Sequence, residues 1–164
     1  MTLSGTRSLW LPPGRFAGDG TPAVQSVLYS ELNGYLYVPF NGAADFHDYA
    51  DLLIPRDFGG FTGCSIFLAN GNGTSAANTR WRIGVQHVLE GGQADDPMSY
   101  SDTTIAPYGI PHQIKEAAIT LPALTWAKAD AIRLMLARLA TDGADTNPDE
   151  MRLLGMRLDY AWAP

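Results

Sequence analysis

The densest group of side chains able to do chemistry is Asp142, Asp145, Asn147, Asp149 and Glu150, crowded with Gly143 between Thr141 and Met151. Oxygen ligands at this density could hold calcium. The glycine and the terminal glutamate do not fall where an EF-hand loop needs them, so a solvated acidic hairpin loop is the favoured reading. Asp95 and Asp96, followed by Pro97, read in the same way. The three histidines, His47, His87 and His112, stand in different segments without the spacing of paired zinc ligands. His87 falls on the apolar face of an alternating run and reads as a hydrogen-bonded core or edge histidine; His47 and His112 read as solvated loop residues. Cys64 is the single cysteine, so no intramolecular disulfide is available, and its apolar surroundings suit inert packing better than nucleophilic chemistry. No serine elbow, phosphate-cradling Gly-Lys loop or H-E-x-x-H is present. A glycoside-cleaving carboxylate pair would have to face across a cleft, and nothing singles one out among the 17 acidic residues. No catalytic residue, resident metal or cofactor is therefore expected.

Aromatic side chains are the remaining candidates. Tyr35 and Tyr37 share one face of a short run and are the best surface aromatics for a ligand or subunit contact. Trp10, Trp81, Trp126 and Trp162 could stack on sugars, although Trp81 sits in phase with a core face. Leu9, Trp10 and Leu11 are too apolar to be left in water and join Tyr35 and Tyr37 as candidate partner contacts.

The elements that must position these residues read as β structure. The 164 residues suit one domain. A content of 46% apolar and 17% charged residues, with 17 Gly and 11 Pro, implies a packed core with many turns. The formal charge of −6 and the scattered placement of 11 Lys and Arg give no footprint for nucleic acid. No apolar h-region and no stretch long enough to span a membrane is visible, so a protein kept in solution is expected.

Residues 1–26 are dense in Gly and Pro and read as an extended N-terminal arm without a long regular element. Residues 27–164 break into short runs bounded by turn residues: Tyr35 to Phe40, Asp51 to Ile54, Thr62 to Ala69, Trp81 to Leu89, Met98 to Ile105, Lys115 to Leu121 and Met151 to Trp162. Trp81, Ile83, Val85, His87 and Leu89 alternate with Arg80, Arg82, Gly84 and Gln86, the period of a strand with one buried face. Leu154, Met156, Leu158 and Tyr160 alternate in the same manner. Residues 126–140 carry helix-forming residues, and Ile132, Met135, Leu136 and Leu139 would share a helical face. Ile132, Leu134 and Leu136 also alternate, and Asp142-Gly143 would turn a strand toward the C-terminal run; the strand reading is adopted. The expected fold is an all-β, two-sheet antiparallel sandwich or jelly roll of about eight strands.

Two stretches carry a resemblance. Ile54-Pro55-Arg56-Asp57-Phe58-Gly59-Gly60, followed by a strand, a small-residue turn and Thr79-Arg80-Trp81-Arg82-Ile83, resembles small β-sandwich structural proteins of tailed-bacteriophage virions. The C-terminal portion, Ile132-Arg133-Leu134, Asp145-Thr146 and Leu153 through Tyr160, is similar to them too. The resemblance implies a non-catalytic protein made in the host cytoplasm and carried on the particle exterior, as capsid decoration (cement), head fibre or tail accessory. It implies a homo-oligomer, a trimer by preference, bound to the major capsid protein or another virion protein, with the arm as contact. On that reading, removing residues 1–22 should abolish particle binding and leave the sandwich folded. The second reading, from the aromatics and the acidic loop, is a carbohydrate-binding β-sandwich or receptor-binding tip, whose tryptophan fluorescence a glycan would quench.

Overall fold

The computed structural model describes residues 5–18, 28–30, 34–88, 97–123 and 131–162. Eleven strands are found there: β1 (Gly5–Leu11), β2 (Ala17–Gly18), β3 (Leu28–Ser30), β4 (Tyr35–Phe40), β5 (Phe46–Leu53), β6 (Phe58–Asn70), β7 (Thr79–Val88), β8 (Ser99–Ile105), β9 (Ile114–Ala118), β10 (Ala131–Arg138) and β11 (Met151–Trp162). Among the described residues the helical content is one 3-10 turn, Pro13–Arg15. The first sheet runs β3-β4-β11-β6-β9, and the second β2-β5-β10-β7-β8. Every strand pairing is antiparallel. The two sheets enclose one main core, so the expected antiparallel sandwich is the fold.

Alternation decides what enters that core. Trp81, Ile83 and Val85 of β7, Ile132, Leu134 and Leu136 of β10, and Cys64, Ile66 and Leu68 of β6 are all buried in it. Trp81 meets Phe40 edge to face at 5.0 Å. Its indole N–H donates to Thr79 Oγ1 at 2.8 Å, and that hydroxyl donates to the Ile105 carbonyl at 2.9 Å, so the buried polar atoms are satisfied. The ambiguity over residues 131–140 has a physical source. β10 is the central strand of its sheet, and Met135, Ala137 and Leu139 are buried on its other face with Tyr49 and Met98. A strand apolar on both faces loses the clean period of two and mimics a helix.

The C-terminal strand departs from simple alternation. A register shift between Leu153 and Gly155 changes the inward phase, so that Met151 and Leu153 before it and Met156, Leu158 and Tyr160 after it are all buried. Leu154, expected to share a face with Met156, lies instead on the outer side, half-buried beside Trp10 and Phe67. Gly155 occupies the bulge at φ 151°, and a Cβ there would fall 2.9 Å from the Leu11 carbonyl oxygen and closer still to the Trp10 ring. Gly155→Val is expected to cost about 3 kcal/mol, from backbone strain and collision with β1. Urea denaturation checks it: an unchanged midpoint would show that β1 can move away freely.

Residues 5–18 are extended but belong to the sandwich. β1 pairs residue for residue with Met156–Trp162, the part of β11 that β4 leaves uncovered, while β2 pairs with β5 in the other sheet. Leu11, Pro13 and Phe16 are buried. A seven-residue strand thus forms where the density of breakers argued against a long element, because β11 offers an open edge. Truncation through residue 22 would remove an edge strand and core side chains, so the folded remnant expected from the sequence is replaced by a destabilised one.

Candidate functional site

The acidic loop is organised around a buried arginine. Arg138, the last residue of β10, is 0% exposed, and the Asp145 side chain is 1% exposed. The guanidinium donates to both Asp145 carboxylate oxygens, each at 2.9 Å, and to the carbonyls of Phe40, Asn147 and Asp149. Asp145 also accepts from the Arg80 backbone N–H, and Asp149 from that of Ser75. Asn147 donates to the carbonyls of Ala77 and Ser75. Glu150 pairs with Arg152 at 2.9 Å, and exposed Asp142 caps the Ala144 N–H. Neither expectation for this segment describes it. β10 and β11 lie in different sheets, so the loop is a crossover rather than a solvated hairpin, and the oxygens that suggested calcium are engaged by the protein. Among the described residues no group of three or more His, Cys, Asp or Glu is placed to hold a metal ion. An arginine closing an apolar strand was the signal available in the sequence.

The other nominated residues fall in separate places. His47 is a half-buried strand residue of β5, not a loop residue, and His87 is half-buried on β7. His112 stands at φ 61° in the turn before β9, its Nδ1 3.3 Å from both the Tyr35 hydroxyl and Arg152 Nη1, which is a packed rather than a solvated position. Burial pushes the Cys64 thiol up to about 12, with the nearby Asp159 charge adding to the effect. The folded protein should therefore react with a thiol reagent at pH 8 only slowly, and rapidly once denaturant is added; fast native labelling would contradict the buried placement.

Alternation divides the nominated partner contacts. Leu11 enters the core and Leu9 packs against it, while Trp10 points outward, 50% exposed and edge-on to Phe67 at 5.1 Å. Tyr37 is buried rather than superficial, with Tyr35 against it at 5.8 Å and the Arg152 guanidinium 4.4 Å over its ring. Trp10 and Tyr35 do come together, beside Leu36, Phe67, Ile114 and Leu154, around an apolar hollow of about 340 Å³ on the outer face of the first sheet. Asp95, Asp96 and Trp126 lie outside the described residues.

The outer face of the second sheet carries a larger cleft, about 700 Å³, lined by Arg15, Ala17, Tyr49, Asp51, Gln86, Met98 and Arg133. Strand register explains its layout. Ala17, Tyr49, Met135, Gly84 and Tyr100 are successive cross-strand neighbours, forming one row across all five strands. Tyr49 and Tyr100 are three strand spacings apart along the row, about 14 Å between backbones. Gly84 leaves room for its neighbours: a Cβ there would stand 2.9 Å from the Tyr100 ring and 3.1 Å from Met98 Sδ, so both side chains lie across β7. Tyr100 is 54% exposed, with the Arg82 guanidinium 5.5 Å over its ring.

Polar pairs flank the row. Arg133 grips Asp51 through Nε at 2.8 Å and Nη2 at 3.0 Å, and Arg82 grips Asp102 at 2.7 and 2.9 Å. These hydrogen bonds hold both carboxyls below their ordinary range against the opposing effect of burial. The result is a set of fixed donors and acceptors beside two tyrosines. Sequence reasoning did not single out Tyr49, Tyr100 or Gln86 as a site; the outward phase of β7 was the one clue, since register alone aligns it with β5 and β8.

The architecture defined by these sheets is an antiparallel jelly-roll β-sandwich. The fold is similar to a family 35 carbohydrate-binding module from an environmental isolate, with TM-score 0.55 at 12% identity over 92% of this chain and 91% of that one. It is similar as well to the family 35 module of Cellvibrio japonicus Abf62 (TM-score 0.53, 11% identity, 93% and 92% covered). A family 35 module from Clostridium thermocellum gives TM-score 0.50 at 13% identity, with 93% and 97% covered. No protein-family model matches the sequence, and no curated protein matches it.

Proposed function

We propose that this protein is a non-catalytic carbohydrate-binding β-sandwich whose ligand lies across the strands of the second sheet. The observation that carries this reading is the row from Tyr49 to Tyr100, two rings bordered by the Arg133–Asp51 and Arg82–Asp102 pairs. Aromatic faces offer stacking surface to the C–H faces of sugars, and bidentate pairs present donors and acceptors in fixed directions to hydroxyls. Structural likeness to carbohydrate-binding modules supports the same reading. Catalysis at this face is disfavoured, because a glycosidase acid needs a raised pKa and both carboxyls here are lowered by arginine.

Affinity electrophoresis across a broad glycan panel, followed by calorimetry, tests the proposal. Retardation by at least one polymer is expected; uniform mobility across the panel, with and without calcium, overturns it. Tyrosine fluorescence is the expected reporter rather than tryptophan quenching, since among the described residues the rings on this face are tyrosines and Trp81 is buried.

A second reading, the virion role implied by the sequence resemblance, is favoured by one observation: Trp10 and Tyr35 share the exposed apolar hollow on the first sheet. It assigns that face to contact with a capsid or other virion protein in a homo-oligomer. Counting copies of this protein against the major capsid protein in gradient-purified particles tests it, and absence from the particles overturns it.

A further inference from the structure

We infer that Asn72 is a self-modifying site, where Gly73 converts the side-chain amide to isoaspartate or aspartate, while the fold protects the Asn-Gly pairs at Asn41 and Asn70. The inference goes beyond both functional readings, and no residue of this site lines the cleft of the second sheet or the hollow of the first. Water is the only co-reactant. The Gly73 backbone nitrogen attacks Cγ of Asn72, closing a succinimide through a new N–Cγ bond. Nδ2 leaves as ammonia, taking the proton of the Gly73 N–H. Water then opens the ring at Cγ to give aspartate, or at the main-chain carbonyl to give isoaspartate, whose backbone runs through Cβ and Cγ. Asparagine is among the chemically labile side chains, and a following glycine favours the attack because no Cβ obstructs it and its backbone turns freely.

Surroundings distinguish the pair at 72. Asn72 is exposed in the loop between β6 and β7, and the Gly73 N–H donates to no group among the described residues, so amide and nucleophile can meet. Asn70 is 0% exposed. Its Nδ2 donates to the carbonyls of Ser75 and Tyr108 at 2.9 and 2.8 Å, and the Gly71 N–H that would attack it donates to the Glu150 carbonyl at 2.9 Å. Asn41 is exposed, but its Oδ1 accepts from the Ala43 N–H at 2.8 Å. Gly42 is packed so closely that a Cβ there would stand 2.4 Å from the Pro148 carbonyl oxygen. A fourth pair begins at Asn33, which lies outside the described residues.

The product acts on what the loop is fastened to. A Cβ on Gly73 would fall 1.9 Å from the Asp149 carboxyl, whose Oδ2 accepts from the Ser75 N–H at 2.8 Å. Isoaspartate lengthens the backbone by one carbon immediately before this close approach, and either product adds a negative charge one residue from the Asp149 carboxylate. Both changes loosen the loop from the crossover between β10 and β11.

The test is incubation of the full chain in mildly alkaline buffer, native and in urea, followed by peptide mapping with fragment sequencing and enzymatic methylation of isoaspartate. In the native chain Asn72 is expected to react about tenfold faster than Asn41 or Asn70, and in urea the three should react at similar rates. Asn72→Gln should abolish the native reaction with the thermal midpoint unchanged, because the side chain is exposed and glutamine closes its larger ring far more slowly. Asn41 or Asn70 reacting as fast as Asn72 in the native chain overturns the inference, as does an intact Asn72 while the urea sample converts. The converted form, separated by anion exchange through its added charge, should exchange the Ser75 amide hydrogen faster than the parent. Unchanged protection there overturns the loosening of the loop and leaves the modification site standing.

Discussion

Replacing Arg138 by alanine is expected to remove about 3–5 kcal/mol of unfolding free energy, a large share of the roughly 5–15 kcal/mol that a domain of this kind possesses. The reason is what the substitution leaves behind. Asp145 is as buried as its partner, so its carboxylate would lose two charge-assisted hydrogen bonds without gaining water. The carbonyls of Phe40, Asn147 and Asp149 would lose their donor at the same time. Because that guanidinium ties the end of β10 to the loop entering β11, the damage would spread across both sheets. Arg138→Lys should recover only part of the loss, since one ammonium cannot bridge the carboxylate and three carbonyls. Urea unfolding followed by circular dichroism measures the difference. A loss below about 1 kcal/mol for Arg138→Ala would show that the crossover is held by other contacts.

Joint replacement of Tyr49 and Tyr100 by alanine is expected to weaken glycan binding about a hundredfold, with each single substitution contributing about tenfold. The two residues stand three strand spacings, roughly 14 Å, apart along the backbone and are expected to act nearly independently. Tyr100 should change affinity with little change in stability, because half its surface is already in water. Tyr49 is half-buried and packs on the small cluster of Met135, Ala137 and Leu139, so its removal should also cost some stability. Calorimetric titration with the best polymer of the panel, alongside thermal unfolding, separates the two contributions. Binding unchanged in the folded Tyr100→Ala variant would move the ligand off this face, and the apolar hollow around Trp10 would become the next surface to test.

Much of the fold was legible because burial imposes a period on the residues. The alternation from Trp81 to Val85 is the inward face of β7, and the run from Tyr35 to Phe40 is β4 as read. Legibility failed where one segment answers to two neighbours. β1 hides among glycines and prolines because its strand character comes from the uncovered edge of β11. Leu154 and Met156 look equivalent in sequence, yet the bulge at Gly155 puts them on opposite faces. The acidic loop looked like a metal site because nothing local reveals that Arg138 turns into it.

By itself, then, the order of residues determined that this chain is an antiparallel sandwich with a single inert cysteine, since side-chain period, turn chemistry and composition are local properties. It did not determine the candidate site. Tyr49, Met135, Gly84 and Tyr100 stand on four strands, and only the pairing register, set by which faces the core must bury, lines them up. Nor did it determine which charges pair. Asp51 and Arg133 cancel across a strand pair, Asp145 and Arg138 cancel in the interior, and Arg15 lines the cleft because the turn that carries it bridges the two sheets.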